Sequence, residues 1–171
     1  QVEMKDIVKN RFSVRKFSDK KVEEEKLQTI LEVAKYAPTA MNYQPQKIYV
    51  LQSEDSMAKI NSLCKGIYGA STVLMLCYDE EIACKRSHNP GMNYGELDTT
   101  IVCDEMMLTA YSLGLGSCWV GAFDPKEVSK AFNLPENIIP FTLLPIGYVA
   151  EDCTASPLHS TTKELDEMVI R

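Results

Sequence analysis

Histidine is nearly missing: His88 and His159 are the only two in 171 residues. Side-chain general acid–base chemistry therefore has few candidates, and any reaction is expected to be carried by a bound cofactor. The chain contains no G-x-S-x-G, no G-x-x-x-x-G-K-[ST] and no H-E-x-x-H, which removes the common hydrolase, phosphate-loop and zinc-protease signals. Gly114-Leu115-Gly116-Ser117 lacks the third glycine of a dinucleotide fingerprint, and it follows a helical pattern where that fingerprint would follow a strand. The six cysteines (64, 77, 84, 103, 118 and 153) form no C-x-x-C pair. Several lie in apolar runs such as Leu74-Met75-Leu76-Cys77, as buried reduced thiols do. Cys84 and His88 stand four apart with no second pair, so no metal site is expected. No apolar run reaches the roughly 20 residues that a membrane helix needs, and no secretory pattern opens the chain. The expectation is a cytoplasmic location, away from membranes.

Positive charge is scarce overall but concentrated. The net charge is −6 and the pI about 5.0. Yet residues 1–21 carry seven Lys or Arg against three acids, a local +4. Nucleic acid usually needs a broad basic surface, which this chain lacks. The island reads either as solvated lysines around a loop or as a site for one localised anion. Flavin mononucleotide would suit the second reading. In an extended segment, Arg11, Ser13 and Arg15 point the same way, presenting two guanidinium forks and a hydroxyl to a phosphate. Phe12 and Val14 then face the core.

The length suits one domain, residues 1–171, with a sizeable core. Helices are expected over 3–10 and 24–37, the second ending at Ala37-Pro38. Ser53 caps a helix to about Leu63. Strands are expected over 47–52, 72–78, 117–120 and 141–149, the second buried on both faces. Residues 84–96 read as a loop. Residues 97–113 form a helix that is apolar nearly all round, so it is either a central core helix or is covered in part by a second subunit. Asp124-Pro125-Lys126-Glu127 starts another helix, and Thr161-Thr162-Lys163-Glu164 a short last one. The fold class is α+β, with helices packed on a mixed sheet.

Four stretches in order carry a family likeness. Arg11-Phe-Ser-Val-Arg-Lys-Phe17, Ala37-Pro-Thr-Ala-Met-Asn-Tyr-Gln-Pro45, Asp98 with the helix ending in Gly114-Leu-Gly-Ser-Cys-Trp-Val-Gly121, and Ile146-Gly-Tyr-Val-Ala-Glu151 together resemble the FMN-dependent nitroreductase family. The resemblance implies a nitroreductase-like α+β fold around a central mixed or antiparallel sheet, in an intertwined homodimer. It implies that Arg11, Phe12, Ser13 and Arg15 bind the phosphate end of FMN. Pro38, Thr39, Ala40 and Asn42 would approach the flavin from the partner subunit. Trp119, Val120 and Gly121 would line the isoalloxazine ring, with the Gly121 N–H near flavin N5. The implied activity is ping-pong reduction of nitroaromatics, quinones or similar small acceptors by NADH or NADPH. The alternative is a flavin-binding, scavenging or interaction protein of the same fold. Two departures stand out. Gln46 follows Gln44-Pro45 where many members have Trp, and the arginine that often precedes the last helix is missing, leaving His159 or Lys163 to complete the phosphate site. Arg86, His88, Met92 and Tyr94 are candidates for acceptor contacts.

Overall fold

The computed structural model describes residues 2–85 and 88–171. Among these residues, six α-helices and four strands follow one another: α1 (Met4–Asn10), α2 (Glu24–Val33), β1 (Gln46–Leu51), α3 (Glu54–Leu63), β2 (Thr72–Asp79), α4 (Tyr94–Ser112), β3 (Gly116–Ser117), α5 (Pro125–Ala131), β4 (Ile138–Gly147) and α6 (Leu165–Met168). The sheet order is β1-β2-β4-β3, and every pair is antiparallel. A mixed or antiparallel sheet was the sequence-based expectation, and the antiparallel form is the one present. The only parallel pairing among the described residues is an isolated bridge from Ser13 to Ser117 of β3.

β2 explains the three layers. Its side chains alternate between faces. Val73, Met75 and Cys77 join Ile60 of α3 and Val128 of α5 in one core. Leu74 and Leu76 join Leu27 and Ile30 of α2 and Val102, Cys103 and Met106 of α4 in the other. A strand covered on both faces has no polar side to show, hence its unbroken apolar run.

Element ends differ from expectation by small local causes. α2 stops at Val33, and the chain runs through tight turns to Tyr36 before Pro38. α4 starts at Tyr94 because Asn93 caps it, its side-chain oxygen accepting from the Glu96 N–H at 3.2 Å. The loop before it is shorter accordingly. The expected strand over 117–120 pairs regularly only at Gly116–Ser117 and returns to β4 by a single Val120–Leu143 bridge. β4 runs from Ile138 to Gly147, displaced toward the N-terminus of the expected range. The last helix is capped at Glu164, whose N–H donates to Glu167, and not at Thr161. Ser53 and Asp124 cap α3 and α5 as the sequence indicates.

α4 is apolar around most of its circumference but is not covered all round. Val102, Cys103, Met106 and Ala110 are fully buried, while Leu97 and Ile101 are 46% and 39% exposed.

Buried thiols make the fold alkali-sensitive. Burial pushes Cys77 up to about 12 from an ordinary value of 9.0, and it raises Cys103 as well. The neutral thiols' contribution is fully present below pH 9 and is lost as pH rises from there toward 12, since the unfolded chain ionises first. Each thiol removes about 1.4 kcal/mol per pH unit in that window. Urea unfolding at pH 8 and pH 10 should show a loss of about 1–3 kcal/mol, and Cys77→Ala should flatten that slope.

Candidate functional site

The segment 11–18 is held against the sheet's β3 edge by main-chain bonds. The Val14 N–H donates to the Ser117 carbonyl at 2.9 Å, Phe17 N–H to Tyr68 at 3.0 Å, and Ser18 N–H to Tyr148 at 2.9 Å. Val14 is buried and Phe12 half-buried, so the even positions face inward as expected. The approach is close at Gly116. A Cβ there would lie 2.5 Å from Val14 Cγ2 and 2.9 Å from Val149 Cγ2. Glycine is what lets the segment lie flat on the strand.

Arg11, Ser13 and Arg15 converge beside Cys118. Burial raises the Cys118 thiol, against the opposing pull of the Arg15 charge, the Ser13 hydroxyl and the Arg11 charge. Among the described residues neither guanidinium forms a salt bridge; the pairs involve Lys16, Lys20, Lys26, Lys35 and Lys59. Two unpaired guanidiniums and a hydroxyl in one place form a donor set suited to a phosphate. His159, in the 3₁₀ turn Pro157–Ser160, packs edge-on against Phe12 with ring centroids 6.1 Å apart. It is therefore beside the cluster, though exposed. Lys163 is exposed too.

The chain then runs directly from Cys118 to Trp119, Val120 and Gly121. Val120 is buried, its side chain turned toward Gly66. Trp119 is 38% exposed and leans edge-on against Phe141 at 6.0 Å. Phe141 in turn meets Tyr78, whose hydroxyl accepts from Asn93 at 3.2 Å. The indole borders a cavity of about 540 Å³ with Thr100, Ile101, Asp104, Glu105 and Met107 of α4. Its ring also overlies Gly121, where an added Cβ would fall 2.8 Å from Trp119 Cζ3.

Pro38, Thr39, Ala40 and Asn42 lie elsewhere. Pro38 and Asn42 are exposed, and Thr39 and Ala40 half-buried. The Ala40 N–H donates to Asp98 at 3.0 Å, which seats this segment near the start of α4. Arg11 and Phe12 border a cavity with Tyr111 and Gly114 at the helix's far end. Asp98 and Tyr111 are thirteen residues apart, about 20 Å along the helix axis. One chain therefore brings together Arg11, Phe12, Ser13, Arg15 and His159 next to Trp119, Val120 and Gly121, and keeps the 38–42 segment apart from Arg11.

That segment is strained. Met41, Asn42 and Gln44 have φ of 57°, 54° and 53°. Left-handed backbone costs a non-glycine residue about 1–2 kcal/mol. Met41 and Tyr43 are also 56% and 52% exposed.

The model for the "Nitroreductase family" matches residues 8–68 and 62–148. This chain belongs to the nitroreductase family. A nitroreductase family protein from Clostridium difficile has a solved structure that superposes with a TM-score of 0.90. It is 36% identical and covers 99% of this chain and 98% of its own. An FMN reductase [NAD(P)H] of Bacillus subtilis is 29% identical over 162 residues, 85% of this chain and 65% of that protein. A crystal structure from Exiguobacterium sibiricum, in complex with FMN, shares the fold with a TM-score of 0.84 at 21% identity, covering 100% of this chain and 98% of that one.

Of the acceptor-contact candidates, His88 and Met92 are exposed, and Tyr94 opens α4 half-buried. Arg86 lies outside the described residues. Three residues were not singled out for a role from sequence. Cys118 had a signal in its place between Ser117 and Trp119. Asp98 had one as a carboxylate among apolar helix positions. Gln46 was noted only as a departure. Its amide donates to the Ala34 carbonyl at 2.9 Å, and its own oxygen is buried without a partner.

Trp119 is the sole tryptophan, so emission excited selectively from tryptophan reports this site alone. Gly121→Ala should displace the indole and shift its emission maximum, while the far-ultraviolet circular dichroism stays unchanged.

Proposed function

We propose that this chain is an FMN-dependent NAD(P)H oxidoreductase that reduces nitroaromatics, quinones or similar electron-poor acceptors, with residues 1–171 forming one domain. The observation that carries the reading is the convergence of two unpaired guanidiniums and Ser13 immediately before Trp119-Val120-Gly121. The family membership supports it, as does the activity in the name of the Bacillus relative.

Each group has a part. Arg11 and Arg15 fork onto the phosphate oxygens, and Ser13 adds a hydroxyl between them. Phe12 orders this loop against the core edge, and His159 packs over it at the position where relatives of this type often place an arginine. Val120 anchors the next strand segment inward, and the Gly121 N–H that follows it would serve as a donor to the reacting edge of the flavin. Trp119 supplies an aromatic wall beside the ring. FMN, when bound, supplies the two-electron chemistry, accepting hydride from NADH or NADPH and reducing an acceptor in a second half-reaction. A donor fixed in place toward the site of developing negative charge needs no reorganisation during the reaction.

Pro38, Thr39, Ala40 and Asn42 complete the site from a second copy of the chain. Their distance along α4 from Arg11, and the exposure of Leu97 and Ile101 between the two ends, support a homodimer built on that helix. No helix among the described residues is long and apolar enough to cross a membrane.

The purified protein should show flavin absorbance that bleaches anaerobically with NADH or NADPH. Bands that persist with both donors would favour a flavin-binding protein without nicotinamide turnover. Arg11→Ala with Arg15→Ala should weaken FMN binding at least 100-fold in equilibrium dialysis, at an unchanged melting temperature.

Sedimentation should give twice the 19.2 kDa chain mass. Leu97→Glu with Ile101→Glu should give single chains that no longer retain FMN.

A further inference from the structure

Asp98 is a carboxylate in the wrong environment for one. It is 3% exposed on a helix whose neighbouring positions pack into a hydrocarbon core. One oxygen accepts from the Ala40 N–H at 3.0 Å, and the other is buried with no hydrogen-bond partner. Burial raises its pKa, opposed only by the Ala40 bond. Raised in the fold, its ionisation works against stability as pH climbs above the ordinary carboxylate value. A group that costs stability where it stands needs a reason other than stability.

The Ala40 bond supplies one. Residues 39–44 hold three left-handed non-glycine residues. The Asn42 N–H donates to the Thr39 carbonyl at 2.9 Å, and the Gln44 N–H to the Thr39 hydroxyl at 3.1 Å. The Gln44 amide reaches the Asn42 carbonyl at 3.1 Å. All of these lie within the segment and could move with it. Among the described residues, only the bond from Ala40 to Asp98 ties residues 39–44 to another element by a hydrogen bond, and the side chain that accepts it stands on a helix with eight buried residues. The residues it fixes, Met41 and Asn42, are exposed, so the strain is not serving a core.

We propose that Asp98 is the positioning residue of the site: through Ala40 it holds Thr39–Gln44 in the strained shape that faces the flavin bound by the partner chain. This rests on the reading of 38–42 as a flavin-facing segment. The bond needs an acceptor at Oδ1 and not a charge. Asp98→Asn keeps that acceptor, and Asp98→Ala removes it.

Hydrogen exchange on the cofactor-free protein tests the anchor without reference to flavin. Asp98→Ala should speed exchange of the 39–44 amides at least 10-fold and leave those of β2 unchanged. In the holoprotein it should weaken FMN binding 10-fold or more and broaden the flavin absorption band. Asp98→Asn should restore all three to within about 3-fold of the parent. Unchanged 39–44 exchange in Asp98→Ala, or equal damage in Asp98→Asn, would overturn the proposal. Should Asp98→Ala not fold, Asp98→Ser, which withdraws the oxygen by one atom, takes its place with the same expected readings. Faster exchange without a change in FMN affinity or spectrum would leave Asp98 as an anchor but refute the flavin-facing assignment. Failure of the Arg11 and Arg15 pair to affect FMN would instead fault the phosphate reading.

Discussion

An α-helix that is apolar on nearly every side has to be covered on nearly every side, and α4 sets that demand for the whole molecule. The sheet covers one flank through Leu74, Leu76, Leu144 and Ile146, and α2 covers another through Leu27 and Ile30. Leu97 and Ile101 remain uncovered. The helix also acts as a spacer. Its 19 residues span about 28 Å, with the 38–44 segment seated at one end and the Arg11 loop at the other. Both properties follow from one feature: a long helix that lies against the sheet and leaves part of its circumference free.

The arginine cluster obeys a different economy. A guanidinium beside a carboxylate would be neutralised and unavailable. Here, among the described residues, no acid forms a salt bridge with Arg11 or Arg15, and two lysines of the same positive island take pairs instead. Lys16 meets Asp152, and Lys20 lies over the Tyr148 ring with Glu23 nearby. The island is thus divided: Lys16 and Lys20 bind the fold's own surface, and its two arginines are left for something else.

Much of this was legible in the sequence. The alternation of Arg11, Ser13 and Arg15 with Phe12 and Val14 needs only the period of an extended chain, and the structure keeps it. The caps at Ser53 and Asp124 are local chemistry and hold for the same reason. What was not legible depends on distant partners. β3 shrinks to two residues because the 11–17 segment occupies its free edge and because Trp119 turns outward. The direction of the strands follows from pairing across the chain, which no local pattern reports. Asp98 stood in one of the family-like stretches, but its role needed Ala40, 58 residues away. Sequence periodicity shows which side of an element is buried; it does not show what a polar intruder in that side holds on to.

The parallel bridge between Ser13 and Ser117 carries one more consequence. β3 is an outer strand, and an outer strand with unmatched amides invites other chains to pair with it. In this fold the Arg11–Phe17 segment lies over that edge and occupies it. The loop that gathers the phosphate donors is therefore also the cover that keeps the sheet from recruiting strangers. The main-chain bonds from this loop to Ser117, Tyr68 and Tyr148 thus protect the sheet as much as they shape the site.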